Sequence, residues 1–390
     1  MLLHKGVARL AAIVYFIQGS LGIAGIALPL YLRSQGFSIS KITFIMSVSA
    51  VPWFLKILYG AISDAIPIRG MRRKPYLIIF SLCSSFGWML LSAVPGQEKW
   101  LIFSMTIANL GLAATDVITD GLVVEYSRAE TAQTYQSIAW GARSIGSIFS
   151  GFIGGFLAAK MTPQSVFIIT AYLPLLSLIG TNFLREKHYQ GRARAKNFLS
   201  PIVKSFFLVI RGDLKWFIVF LLIISSSVAI GTPLFFFMRE TLKFDEIFLG
   251  LLNSVTWVGA TIGCFIFLKL FRRVPLRKTL QWAIGFGFLD VLLTLVIRNY
   301  PSAFLAFFLL GVLGYMVLLP LFSAAARLAH GTGVEGSLYA VLMSWFNVGQ
   351  AIASVWGGLL YDKIGLNGLI VFTAFMGLLG YLVIPRFQKL

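Results

Sequence analysis

Long apolar runs separated by short polar connections fill the chain from end to end. A helix needs about 20 mostly apolar residues to cross a hydrocarbon core of about 30 Å. Runs of that length can be read at about 7–32, 41–62, 76–95, 100–126, 134–159, 164–184, 215–238, 246–270, 278–297, 302–326, 336–360 and 365–385. The pattern predicts an all-α membrane protein with twelve transmembrane helices. One long polar segment, 185–214, falls between the sixth and seventh runs and divides the chain into two six-helix bundles, 1–184 and 215–390. The first run, Val7 to Leu32, is longer than the apolar region of a cleavable signal and lacks a small-residue cleavage site, so it is expected to stay as a helix.

Composition removes the soluble alternatives. Of 390 residues, 58% are hydrophobic and 12% charged, against about 25% charged in ordinary soluble domains. A soluble core of this size could not hide so much apolar surface. The formal charge is +19, which on a soluble protein would suggest nucleic acid. Here the 33 Lys and Arg are distributed by side. Connections on the side of the N-terminus carry 23 of them, including Arg69, Arg72, Arg73, Lys74 and eight between Arg185 and Lys215. Those on the opposite side carry eight, and Lys56 and Arg143 lie within spans. By the positive-inside rule both termini are cytoplasmic, as an even number of spans requires, and a bacterial-type inner membrane is expected. No nucleic-acid partner is expected, and a monomer is. Cys83 and Cys264 stand alone within apolar runs, and His4, His188 and His330 are scattered, so neither a disulfide framework nor a metal site is expected.

A repeat supports the division into halves. Gly146 is followed eight residues later by Gly154-Gly155, and Gly349 eight residues later by Gly357-Gly358, an offset of 203. The same offset brings the arginine-rich stretch Arg69 to Lys74 near its counterpart, Arg272 to Lys278. Six helices repeated in parallel are the build of the major facilitator superfamily, in which two bundles rock about a central site.

Ionisable groups inside a span are costly and need a reason. At about 1.5 Å per residue, Asp116 lies roughly 18 Å from the cytoplasmic end of the fourth span, and Asp120 roughly 12 Å. Arg143 lies roughly 15 Å into the fifth span and Lys56 roughly 12 Å into the second. Two cations and two anions thus fall in one layer, where their charges cancel. Asp116 and Asp120 share a helix face with Asn109. Arg143 shares one with Gln136, Ser147 and Ser150; Tyr15 and Gln18 form a polar stripe on the first span, and Asn347, Gln350 and Ser354 form one on the eleventh. Polar stripes on several spans imply a shared wet cavity. The functional reading is a substrate and proton site. Lys56 and Arg143 would hold an anionic group, with Trp53 and the polar Asn347 and Gln350 beside it. Asp116 or Asp120 would carry a proton. Trp53, Trp140 and Trp345 could stack on a flat ring. The rival reading is a set of static ion pairs between the second, fourth and fifth spans, with Lys56 reaching toward the cytoplasmic face and Asp290, in the ninth span, purely structural. Asp64, ending a Gly60-x-x-x-Asp64 motif, faces Arg72-Arg73-Lys74-Pro75 across a short connection. A carboxylate at a helix end beside an arginine cluster makes a breakable gate; simple anchoring on the membrane surface is the alternative.

The segment Pro52-Trp53-x-x-Lys56-x-x-Tyr59-Gly60-x-x-Ser63-Asp64, then Pro67-Ile68-x-Gly70-x-Arg72-Arg73-Lys74-Pro75-Tyr76, resembles the folate–biopterin transporter family of the major facilitator superfamily. So does Asp116-Val117-x-x-Asp120-x-Leu122-Val123-Val124-Glu125. The twelve-span layout covers the chain, while the specific motifs lie in its first half. The resemblance implies a proton-coupled carrier of folates or pterins, working by alternating access in a lipid bilayer, with Lys56, Asp64, Arg72, Arg73, Asp116, Asp120 and Arg143 among its functional positions. A carrier of another solute, such as a peptidoglycan fragment or a drug, and a non-transporting assembly factor remain alternatives. No nucleophile–base pair, nucleotide loop or metal cluster occurs, so neither an enzyme nor a cofactor is expected.

Overall fold

A computed structural model describes residues 4–126, 129–186, 200–211, 214–271 and 274–387. The expected basic positions Arg128, Arg272, Arg273 and Lys389, and most of the charged segment after Glu186, lie outside them. The described residues are helical throughout, joined by short turns. In chain order the helices are α1 (Lys5–Ser20), α2 (Ala24–Ser34), α3 (Ile39–Ser49), α4 (Lys56–Ala65), α5 (Lys74–Ala93), α6 (Glu98–Tyr126), α7 (Ala129–Lys160), α8 (Pro163–Tyr172), α9 (Leu176–Asn182), α10 (Ser200–Arg211), α11 (Leu214–Ile224), α12 (Gly231–Phe236), α13 (Glu246–Phe271), α14 (Leu276–Leu293), α15 (Tyr300–Ala329), α16 (Glu335–Leu378) and α17 (Gly380–Val383).

Among the described residues, ten helices are long and apolar enough to cross a membrane. Two features explain why this differs from the twelve expected. The expected second span is broken into α3 and α4 by a 3-10 turn, Val51–Phe54, so neither half reaches the length of a span alone. The expected eleventh and twelfth spans run together as Glu335–Arg386, 52 residues long. Within that stretch Gly365 has φ 68° and ψ −178°, a conformation open to glycine and strained for any other residue. The segment 185–214 contains a helix of its own, α10. On that helix Ile202, Ser205 and Val209 are buried while Val203, Phe206, Phe207 and Ile210 are exposed.

The chain forms two compact units, Met1–Gln35 with Val48–Ser200, and Gly36–Ser47 with Pro201–Leu390. In the first, α1, α5, α6 and α7 share a core of Val7, Leu10, Val14, Leu77, Ile118, Leu122 and Tyr135. The outer surfaces are apolar, with Phe86, Phe103, Phe149 and Leu382 among many exposed large side chains. Lipid accepts such a surface, and with water excluded from both faces helix association depends on close packing of small residues.

The glycine repeat is that packing. A Cβ at Gly146 would stand 2.3 Å from the Phe16 carbonyl oxygen of α1, and one at Gly154 2.6 Å from that of Ile23. In the second unit a Cβ at Gly349 would meet Ser225 Oγ at 2.8 Å, and one at Gly357 the Ala229 carbonyl at 2.3 Å. The equivalent glycines therefore seat α7 on α1 and the 3-10 turn that follows it, and α16 on the 3-10 segment Ser225–Ile230 that follows α11. Because the obstacle at Gly146 is backbone, Gly146→Val forces α1 and α7 apart. Overpacking of this kind costs about 1–3 kcal/mol. A fall of several degrees in thermal midpoint in detergent is expected, and an unchanged midpoint contradicts the contact.

Candidate functional site

The broken helix sets the site. Pro52 lies inside the 3-10 turn and has no N–H for the preceding turn. The break makes Lys56 the first residue of α4. Its Nζ donates to Asp116 Oδ2 on α6 at 2.6 Å and lies 5.1 Å from the Trp53 ring centroid. Trp53 Nε1 donates to Asn109 Oδ1 at 2.9 Å, so α6 holds both the turn and the start of α4. From α1, Gln18 Nε2 donates to Asp116 Oδ1 at 2.7 Å. Both oxygens of Asp116 are thereby occupied, and the residue is 5% exposed.

One turn further along α6, Asp120 Oδ1 accepts a 2.5 Å hydrogen bond from the Tyr15 hydroxyl. Among the described residues no Lys or Arg forms an ion pair with it. The Tyr15 ring lies 6.2 Å from that of Trp140, and the Arg143 guanidinium lies over Trp140 at 5.1 Å. Arg143 is close enough for its charge to act on both carboxylates. Two polar atoms here, Arg143 Nε and Gln18 Oε1, are buried without a hydrogen-bond partner. A buried unpaired donor or acceptor costs about 1–3 kcal/mol. The cluster thus combines a closed Lys56–Asp116 pair with an open cationic donor, an open acceptor and aromatic faces.

A second cluster lies at the α4–α5 connection. Arg69 and Gly70 take positive φ, 52° and 74°, in a tight turn closed by mutual backbone hydrogen bonds between Ile68 and Met71. The reversal brings Arg73 Nη2 to 2.5 Å from Asp64 Oδ1, while Arg73 Nη1 donates to Ser63 Oγ at 2.8 Å. Arg72 Nη2 lies 3.5 Å from Glu125 Oε1 at the end of α6. Glu186 accepts backbone N–H bonds from Arg72, Arg73 and Lys74 at 2.7, 2.9 and 2.8 Å. A carboxylate there satisfies the free donors of the α5 N-terminus and meets its positive dipole end.

Known proteins match this chain over nearly its whole length. Residues 18–379 match the BT1 family. The chain belongs to the BT1 family. Its relatives include the Folate-biopterin transporter of Synechocystis sp., 30% identical over 371 residues that cover 91% of this chain and 74% of that one. Folate transporter 2 of Plasmodium falciparum is 26% identical over 366 residues, covering 89% and 79%. Among solved structures, the crystal structure of the nucleoside transporter NupG is similar with a TM-score of 0.77 at 13% identity, all of both chains being covered. At that identity the likeness speaks for the fold alone. The resemblance read from the helix motifs therefore holds, and this BT1 protein is a multi-pass membrane transporter and not an enzyme.

Within this BT1 chain the first unit brings together Trp53, Lys56, Asp116, Asp120 and Arg143, and also Asp64, Arg72 and Arg73. Asn347 and Gln350 belong to the second unit, on α16. Within the layer of two cations and two anions, Lys56 pairs with Asp116, Asp120 bonds to Tyr15, and Arg143 lies on Trp140. The sequence alone gives Glu186 no role beyond membership of the basic segment 185–214. Its signal was a lone carboxylate in a run of Lys and Arg.

Proposed function

We propose that this BT1 transporter is a proton-coupled symporter of folate or a pterin-like organic anion. It would have twelve spans in two six-helix bundles, work by alternating access and keep both termini in the cytoplasm of a cell whose inner membrane it occupies. The observation that carries the reading is the open side of the Arg143 guanidinium, laid on Trp140 with its Nε unpartnered. A planar guanidinium matches a carboxylate through two parallel hydrogen bonds, and the indoles of Trp53 and Trp140 offer faces for a flat ring. The names of relatives as folate and folate–biopterin transporters support the same substrate class. A helix of 44 residues would be about 66 Å long, twice a bilayer core, so Gly365 is read as the junction of two spans.

The proton role falls to Asp120 in preference to Asp116. Lys56 and Gln18 occupy both oxygens of Asp116, whereas Asp120 meets a hydroxyl that can either donate to it or accept from it. The Asp64–Arg73 and Arg72–Glu125 pairs would act as a gate that opens and closes with the transport cycle.

Reconstitution into proteoliposomes tests this. An inward proton gradient should drive accumulation of labelled folate or a pterin above the equilibrium level, and collapsing the gradient should end it. Asp120→Asn should lose gradient-driven accumulation while retaining exchange of external for internal substrate. Absence of uptake of every folate and pterin by correctly inserted protein removes the substrate assignment. Gradient-driven accumulation that survives in Asp120→Asn removes the proton assignment.

A further inference from the structure

The second unit contains a cavity of about 170 Å³ lined by α14, α15, α16 and the 3-10 turn Ser225–Ile230 that follows α11. Its polar lining residues are Ser225, Ser226, Ser227 and Thr373, with hydroxyls, Gln350, with an amide, and Asp290, with a carboxylate. Among the described residues no Lys, Arg or His lines it. Asp290 Oδ1 and Thr373 Oγ1 are both buried with no hydrogen-bond partner. Each unmet atom costs free energy, and an uncompensated carboxylate inside a span costs more. The space is also too large to be a packing fault, since a water occupies about 30 Å³ in the liquid.

The turn adds acceptors. Where an α-helix gives way to 3-10 geometry, carbonyls of the last α-turn lose their i+4 donors. The Ser225 hydroxyl, which lies at the start of this turn, donates to the Leu221 carbonyl at 2.7 Å and lies 3.4 Å from that of Phe346. A broken helix whose carbonyls and hydroxyls meet a carboxylate is a construction suited to a bound cation. One carboxylate supplies one negative charge. That matches a monovalent cation, whereas divalent ions draw on several carboxylates. The same charge excludes an organic anion, so the cavity is not a second seat for the substrate.

We infer that this cavity is a Na+ site, with the Asp290 carboxylate as the charged ligand and Gln350, Thr373 and the Ser225–Ser227 turn as neutral oxygen ligands. It is separate from the Lys56–Asp116 cluster and independent of the cargo assigned to the protein. Asp290 is therefore a functional residue and not a structural one.

The test uses the full chain in detergent at fixed pH and ionic strength, with Na+ exchanged for K+ or choline. A ligand that binds only the folded state raises its thermal midpoint in a saturable way. The wild type should gain a few degrees with NaCl and nothing comparable with KCl or choline chloride. Asp290→Asn should abolish the gain, while Asp120→Asn should keep it, which separates this site from the proton site of the first unit. Should Asp290→Asn fail to fold, Thr373→Val and Gln350→Leu replace it, and each should shift the Na+ midpoint upward by several-fold. The absence of a Na+-specific gain in the wild type overturns the inference and marks Asp290 as a carboxyl kept neutral by a proton. A gain that persists unchanged in Asp290→Asn, or an unchanged midpoint in the two replacements, overturns it as well.

Discussion

Asp116→Ala should reduce uptake by about two orders of magnitude or more and destabilise the protein, and Lys56→Met should do the same. Each removes one partner of a 2.6 Å pair whose side chains are 20% and 7% exposed. Asp116→Ala also strips the acceptor from Gln18, whose second polar atom is already unpartnered. Breaking one side of a buried pair costs about 3–5 kcal/mol, because the remaining charge is left in a medium that solvates it badly. At about 1.4 kcal/mol per tenfold, this suffices to depopulate any conformation that requires the intact pair. The informative variant is the double replacement Lys56→Met with Asp116→Leu. Removing both charges removes the uncompensated one, and apolar replacement of a buried pair is often neutral in stability. The double variant should therefore recover thermal stability and surface level while uptake stays lost. Recovery of uptake together with stability would make the pair a static link between α4 and α6, and the transport role would pass to Arg143 and Asp120 alone.

The two kinds of information in this chain were not equally readable. Membrane spans announce themselves by length, because the bilayer imposes about 20 apolar residues on each. That is why α5, α6, α13 and α15 lie where the hydrophobic runs end. The glycine repeat was readable for a related reason, since small residues are what close packing in lipid requires. The interruptions were written just as locally, in Pro52 and Gly365, but a long apolar run overrides a single residue when it is scanned by window. The break at Pro52 matters more, because it defines the start of α4 and hence where Lys56 sits.

Pairing was harder. A 3.6-residue period shows which residues share a face, and it placed Asp116 with Asp120 and Tyr15 with Gln18 on common stripes. It does not give the rotation of one helix against the next. Four charges at similar depth admit several pairings. Only the packing of α1, α4, α6 and α7 chooses Lys56–Asp116 and leaves Arg143 to an aromatic neighbour. Glu186 escaped for a similar reason: its partners are backbone N–H groups of α5, more than a hundred positions away in the chain, and backbone donors leave no mark in a sequence.

Arg143→Lys should raise the KM for a folate-like anion by about tenfold or more, and Arg143→Ala by about a hundredfold, with little change in folding. No described ion pair within the protein uses Arg143, so its removal breaks no close pair and the stability cost is smaller than at Asp116. What is lost is directed at a ligand. A charge-assisted hydrogen bond contributes about 1.5–3 kcal/mol, and a guanidinium makes two in parallel where an ammonium makes one. Lysine keeps the positive charge, and with it the long-range attraction for an anion, but gives up the fork and the flat stacking on Trp140 that holds the group at 5.1 Å. The Lys and Ala variants thus separate charge from geometry. A graded loss in KM, with thermal midpoints equal to the wild type, assigns Arg143 to substrate binding. Equal losses in both variants would mean that geometry alone matters. No loss in either would return Arg143 to the role of a packed cation on an indole ring, and with it would go the observation on which the substrate assignment rests.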